Sequence, residues 1–171
     1  MKIRCLPQLG FVVISLMLCS ANCDKLPDFG ARPGSLPKST YVLNGTSFTG
    51  QGNYNKTLGA IETFCDNNNT IRLYYSPLAD FTSTDTLYTV VSSSKAGSLA
   101  AKEFYLEVST STSDTWLSTG SGSTMVKLSR IQDAIGYYYK FTLTDAAVQH
   151  WTSVPLNEFG KVSADLITLR K

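Results

Sequence analysis

The chain has 171 residues, with 15 Lys and Arg against 13 Asp and Glu. Two of the cations, Lys2 and Arg4, lie at the N-terminus, so the other 13 balance the 13 acidic residues. The remaining Lys and Arg are scattered, and the sequence offers no basic patch that could neutralise several phosphates, which argues against a nucleic-acid partner. The length fits one domain with a workable core.

The N-terminal segment has the features of an export signal. Lys2 and Arg4 precede an apolar run over residues 9–18, which is too short to cross a bilayer. Small residues then lead to Cys23, an order typical of cleavage before a lipidated cysteine. We therefore predict a signal peptide at residues 1–22 and a lipid anchor on Cys23, on a protein exported to the outer membrane or cell surface.

A second interpretation of the mature N-terminus stays open. Cleavage after Ala21 would yield a secreted or periplasmic soluble protein, in which Cys23 could form a disulfide with Cys65. With a lipidated Cys23, Cys65 is instead a lone thiol. The four cysteines show neither zinc-ligand spacing nor a disulfide framework, so we predict no metal and no cofactor.

Residues 23–39 contain three prolines and two glycines, and they are predicted to be an extended tether between anchor and domain. From residue 40 to 171, short segments rich in Val, Ile, Tyr, Phe and Thr alternate with Gly, Ser, Asn and Asp, which indicates strands joined by turns. Residues 66–69 read as a turn and residues 145–151 as a short helical turn. Strands are predicted at residues 40–49, 58–65, 71–75, 86–91, 103–108, 115–118, 125–128, 137–144 and 162–169.

About nine short strands with strict alternation of apolar and polar residues indicate an all-β domain with one buried and one wet face per sheet. We predict a single antiparallel β-sandwich. A small, lipocalin-like β-barrel is the alternative, because alternation with a period of two is common to both architectures.

Several parts of the sequence carry a resemblance to a known family, namely residues 44–50 (Asn-Gly-Thr-Ser-Phe-Thr-Gly), residues 87–92, residues 118–122 and Val126. They resemble small β-rich lipoproteins of the Bacteroidota type. Residues 20–23 (Ser-Ala-Asn-Cys) match the relaxed lipid signal of such proteins, although the asparagine departs from the small residue of a stricter signal. The resemblance implies a β-rich fold and an envelope location, and it carries over no catalytic residues.

Catalytic groups are not expected. His150 is the sole histidine, Asp145 is the acid nearest to it in sequence, and the chain has no Gly-x-Ser-x-Gly elbow. Glu103 and Glu107 share one strand face with Cα atoms about 13 Å apart, whereas paired glycosidase carboxyl groups lie roughly 5–9.5 Å apart. We therefore predict a protein that is not an enzyme.

Aromatic residues are the candidate binding groups. Tyr74, Tyr105 and Tyr138 are predicted on the polar faces of three strands, and Trp116 lies near a loop. Such rings can stack on sugars or anchor a protein partner. Tyrosine is equally a favoured strand residue with a purely structural role.

The leading functional prediction is a lipid-anchored cell-envelope protein whose non-catalytic β domain serves binding or structure, with a glycan or a protein as partner. The first alternative is a barrel that carries a small apolar ligand in a cavity lined by Tyr137, Tyr139 or Phe141. A more distant alternative is an envelope hydrolase, which requires His150 and a carboxylate to converge in a cleft.

Overall fold

A computed structural model describes residues 37–82, 85–110, 114–132, 137–151 and 158–169, which belong to one compact unit. The predicted leader, Cys23 and most of the predicted tether lie outside these residues. Within the described ranges, no helix has the length and hydropathy of a membrane span.

The described chain is built almost entirely of strands, which confirms the all-β prediction. Two short 3-10 turns, Asp66–Asn68 and Ser93–Lys95, are the helical elements that the described residues contain. The ten strands are β1 Ser39–Leu43, β2 Thr46–Asn55, β3 Ala60–Cys65, β4 Thr70–Tyr75, β5 Leu87–Val90, β6 Glu103–Ser109, β7 Thr115–Ser118, β8 Met125–Gln132, β9 Tyr137–Trp151 and β10 Phe159–Leu169.

The strands form one sheet whose hydrogen-bond ladder closes on itself. The order is β10-β1-β2-β3-β4-β6-β5-β8-β9, and β9 pairs back onto β10. Strand β7 joins β6 to the far half of β9. All pairs are antiparallel except β5 with β6, so the sheet is mixed rather than purely antiparallel. Each strand has a partner on both sides, and the arrangement is barrel-like in its closed ladder and sandwich-like in its filled interior.

The interior is filled by the inward positions of every strand. On β6, Phe104, Leu106 and Val108 are fully buried, while the residues between them face outwards. Phe81, in the segment after β4, enters this core and packs its ring against those of Phe104 and Phe141 at 6.1 and 5.6 Å between centroids. Apolar burial of this kind is the main stabilising term of a closed sheet.

The predicted helical turn at residues 145–151 is wrong, because this segment is the second half of β9. Inward positions run through Leu143 and resume at Ala146, three residues later instead of two. A β-bulge absorbs the extra residue, and Asp145 adopts a positive φ of 53° there. The bulge resets which side faces the core, so the second half of the strand no longer matches a simple period of two.

The predicted strand at residues 40–49 is two strands joined by a hairpin. Asn44 and Gly45 both have positive φ, at 48° and 85°, as a two-residue hairpin turn requires. Strand β2 then continues to Asn55 through two glycines. A Cβ at Gly52 would lie 1.8 Å from the carbonyl oxygen of Ile167, so β2 and β10 can approach only without a side chain there.

Candidate functional site

Two of the predicted binding residues, Tyr74 and Tyr105, form a stacked pair on the outside of the sheet. They are direct cross-strand partners on β4 and β6. Their ring centroids lie 4.4 Å apart with an angle of 9° between the planes. The burial alternates over residues 71–75 of β4 and along the whole of β6, so these rings face outwards while Leu73 and Leu106 beside them face the core.

An ion-pair network lies directly beside the tyrosine pair. Arg72 donates from Nε to Glu62 at 2.9 Å and from a terminal nitrogen to Glu107 at 2.6 Å. The Tyr74 hydroxyl donates to the other oxygen of Glu107 at 3.5 Å. Glu62 lies on β3, Arg72 on β4 and Glu107 on β6. Because β3, β4 and β6 are consecutive neighbours in the sheet, these three residues form one row across it.

Burial of this region alters its proton affinities. Burial, and then the negative charge of Glu107, raise the pKa of Tyr74 to about 12. The pKa of Tyr105 rises for the same reasons. Burial opposes the charge of Arg72, but its hydrogen bonds to the two glutamates outweigh that effect and raise the pKa of the guanidinium. At neutral pH both tyrosines are therefore neutral hydrogen-bond donors.

The tyrosine pair lines a groove of about 680 Å³, which we call the tyrosine groove. The turn at residues 56–59 forms one wall, and Gly97 and Leu99 form another. Tyr54, Tyr75, Pro77 and Ala79 complete the lining at the end of the sheet. The lining is mainly aromatic and aliphatic with a few hydroxyl groups, as in many small-ligand sites.

The structure brings neither of the other two predicted binding residues to this groove. Tyr138 remains on the outward side of β9, beside Ile131 of β8, but its side chain is only 1% exposed. The predicted solvent-facing role of Tyr138 therefore does not match its burial. Trp116 lies on β7, at the opposite end of the sheet.

Trp116 lines a second, smaller cavity of about 370 Å³, which we call the histidine cleft. Its ring stacks on that of His150 with centroids 4.8 Å apart, because the two residues are cross-strand partners on β7 and β9. Two carboxylates face the imidazole. Glu158 lies 3.1 Å from Nδ1 and Asp114 lies 3.4 Å from Nε2.

The cleft does bring His150 and carboxylates together, as the hydrolase alternative requires, but with different acids from the one expected. Asp145 instead lies on the β9 bulge and contacts Ser163. A general base needs one ring nitrogen directed at the group that it deprotonates. Here Nδ1 contacts Glu158, and Nε2, which has no hydrogen-bond partner among the described residues, lies 3.4 Å from Asp114, so a protonated imidazole would form ion pairs on both sides.

Other chemistry at these sites is limited. Among the described residues, no cluster of three or more His, Cys, Asp or Glu has the arrangement of a metal site. Cys65 is half-buried against the core and forms no disulfide with another described residue, and burial raises the pKa of its thiol, which makes it a weak nucleophile. Residues 66–69 form the predicted turn, with Asn67 and Asn68 at positive φ.

Most residues of the groove lining carry no signal in the sequence that marks them as binding residues. Tyr54 could not be predicted as a strand residue, because the glycines of β2 interrupt the strand pattern in the sequence. Lys56 lies on a turn and Leu99 in a loop, where no hydrophobic period marks a residue. A signal for the turn at residues 56–59 existed in Gly59, which has a positive φ of 66°.

Comparison with known proteins yields no relatives. No family model matches the chain, and neither the curated proteins nor the solved structures contain a match.

Proposed function

We propose that this chain is a lipid-anchored cell-envelope protein whose β domain binds a glycan in the tyrosine groove, without catalysis. The observation that carries this proposal is the stacked pair of Tyr74 and Tyr105 in the lining of a 680 Å³ groove. Aromatic rings offer flat apolar faces to sugar rings, and hydroxyl groups beside them offer hydrogen bonds.

Rigidity of the ring pair supports a binding role. Tyr74 is held by its neighbour on β6 and by the contact of its hydroxyl with Glu107, which Arg72 holds in turn. A preorganised side chain loses little conformational entropy when a ligand binds, and more of the contact energy remains as affinity.

The carrier alternative finds less support. Phe141 is fully buried, and the rings of Phe81, Phe104 and Tyr139 pack around it at 5.6 to 6.5 Å between centroids. Tyr137, which a carrier would direct into its cavity, is 42% exposed beneath Arg130. Aromatic side chains thus fill the region where an internal ligand would lie.

A glycan array with the wild-type protein and the single variants Tyr74→Ala and Tyr105→Ala tests the proposal. We expect the wild type to bind a subset of the array and each variant to lose about tenfold or more in affinity, as for a residue at the centre of an interface. Tyr137→Ala, which removes an exposed tyrosine elsewhere, is the matched control and should bind normally. Unchanged binding by both groove variants, or no binding by the wild type, would contradict the proposal.

The lipid anchor has a separate test. Mass spectrometry of the protein isolated from its native membrane should find an N-terminal Cys23 that carries lipid, and Cys23→Ser should release the protein into the soluble fraction. A mature chain that begins with an unmodified Asn22 would exclude the anchor and leave the secreted form.

A further inference from the structure

Charge in the tyrosine groove is carried by one residue. Of the described residues that line the groove, Lys56 is the one with an ionisable charge at neutral pH, and the others are aromatic, aliphatic, small or hydroxyl-bearing. Lys56 is exposed and takes part in none of the ion pairs between described residues. Its ammonium group is therefore available to a ligand.

The carboxylates next to the groove are already paired. On β6, Glu103 and Glu107 flank Tyr105 on the same outward face. Glu103 accepts from Lys95 at 2.8 Å and from the backbone of Ala100 at 3.0 Å. Glu107 is paired with Arg72 at 2.6 Å. Neither acid is free to neutralise Lys56 or to repel an anion with its full charge.

A third acid, Glu62, carries the excess negative charge of the network, but it is not presented to the groove. Its side chain is only 4% exposed. One of its oxygens faces Arg72, and the other accepts from the amides of Asn55 at 3.0 Å and Asn53 at 3.5 Å. Its hydrogen-bonding capacity is therefore directed into the protein.

From this charge distribution we infer that the groove takes an acidic saccharide, whose carboxylate pairs with Lys56 while a sugar ring packs on the exposed side of the Tyr74–Tyr105 pair. This inference rests on the proposed glycan-binding function. A carboxylate that meets an otherwise unpaired ammonium beside apolar walls gains a charge-assisted hydrogen bond, which is stronger than a neutral one. A neutral saccharide would leave that ammonium without an anionic partner.

Matched ligands and matched lysines test the inference. Binding of oligosaccharides of glucuronic or galacturonic acid is measured by calorimetry, against the same oligosaccharides with their carboxyl groups reduced to alcohols. We expect the acidic members to bind about tenfold more tightly, and Lys56→Met to abolish that difference. Lys102→Met, an exposed lysine outside the groove lining, should retain it. Raising the salt concentration should also reduce the difference in affinity between the acidic and the reduced oligosaccharides.

The outcomes separate this inference from the proposed function. Equal binding of acidic and neutral saccharides, with both lysine variants unchanged and Tyr105→Ala impaired, would overturn the acidic preference and leave glycan binding intact. A preference for acidic members that survives Lys56→Met would also overturn the inference. Absence of binding to every saccharide, acidic or neutral, would overturn the proposed function together with it.

Discussion

The two ends of the closed sheet use similar side chains in different surroundings. Each end has an aromatic stack beside an ion-pair network, with Tyr74 on Tyr105 at one end and Trp116 on His150 at the other. At the tyrosine end the central ions are partly or almost wholly withdrawn from water, with 4% exposure for Glu62 and 25% for Arg72. At the histidine end the two carboxylates are 51% and 62% exposed. All three charged side chains at the tyrosine end are thus largely withdrawn from water, whereas at the histidine end only the imidazole is, with 11% exposure.

The largest difference between the ends should follow removal of Arg72. Arg72→Met leaves Glu62 buried without its cation, and we expect a loss of about 3 kcal/mol in the free energy of unfolding, measured by urea denaturation. Lys140→Met is the matched control, because Lys140 pairs with the more exposed Asp165 at 2.9 Å. The control should lose less than about 1 kcal/mol. An equal loss of free energy of unfolding in the two variants would contradict the expected difference between the buried Arg72 pair and the more exposed Lys140 pair.

The second-largest effect is expected at alkaline pH, where the raised pKa of Tyr74 should lower the free energy of unfolding. An unfolded tyrosine loses its proton near pH 10, whereas Tyr74 in the folded domain keeps it until about pH 12. The folded state therefore binds more protons in this window, and stability falls as the pH rises through it. We expect Tyr74→Phe to remove about 1 kcal/mol of this decline, as measured by urea denaturation at a series of pH values. A decline of the same size in Tyr74→Phe and wild type would contradict the raised pKa.

The smallest effect is expected at the histidine cleft. Glu158→Gln removes one carboxylate from His150 but keeps the stack with Trp116, and because Glu158 is 62% exposed, its contact with the imidazole should contribute less than about 0.5 kcal/mol. Urea denaturation at low and high salt measures this difference, which should shrink as salt screens the pair. A loss as large as that of Arg72→Met would mean that the two ends are equally sensitive to charge.

The all-β fold could be predicted because apolar and polar residues alternate along the strands, and this alternation is visible in the sequence. Strand β6 follows it at every position from Glu103 to Ser109. Strand β9 follows it only from Tyr139 to Leu143, because Tyr138 is buried on the outward side and the bulge interrupts the period after Leu143. The second half of strand β2 could not be predicted, because its glycines break the pattern of a strand. Gly52 is needed there because the backbone of Ile167, which is far away in sequence, lies too close for a side chain. Where the conformation depends on a distant strand, local pattern could not predict it.

The candidate site was predictable to a similar extent. Alternation identified Tyr74 and Tyr105 as outward residues, but their contact depends on the pairing of β4 with β6, which leaves out β5. The same argument grouped Tyr138 with them, although it is buried, and Trp116, chosen for its position near a loop, lines the histidine cleft instead. The side of the sheet on which a residue lies follows from local periodicity, whereas the residues that it contacts depend on the topology of the strands. Only the side of the sheet can be predicted from a single sequence.

The most direct test of the account is amide chemical-shift mapping by NMR, during titration of the wild-type protein with its tightest-binding saccharide. Ligand in the tyrosine groove should shift the signals of Gly97, Leu99 and Tyr105, which line it, and leave those of Trp116 and His150 unchanged. Shifts concentrated at Trp116 and His150, with the groove signals unmoved, would contradict the central claim that binding belongs to the tyrosine end.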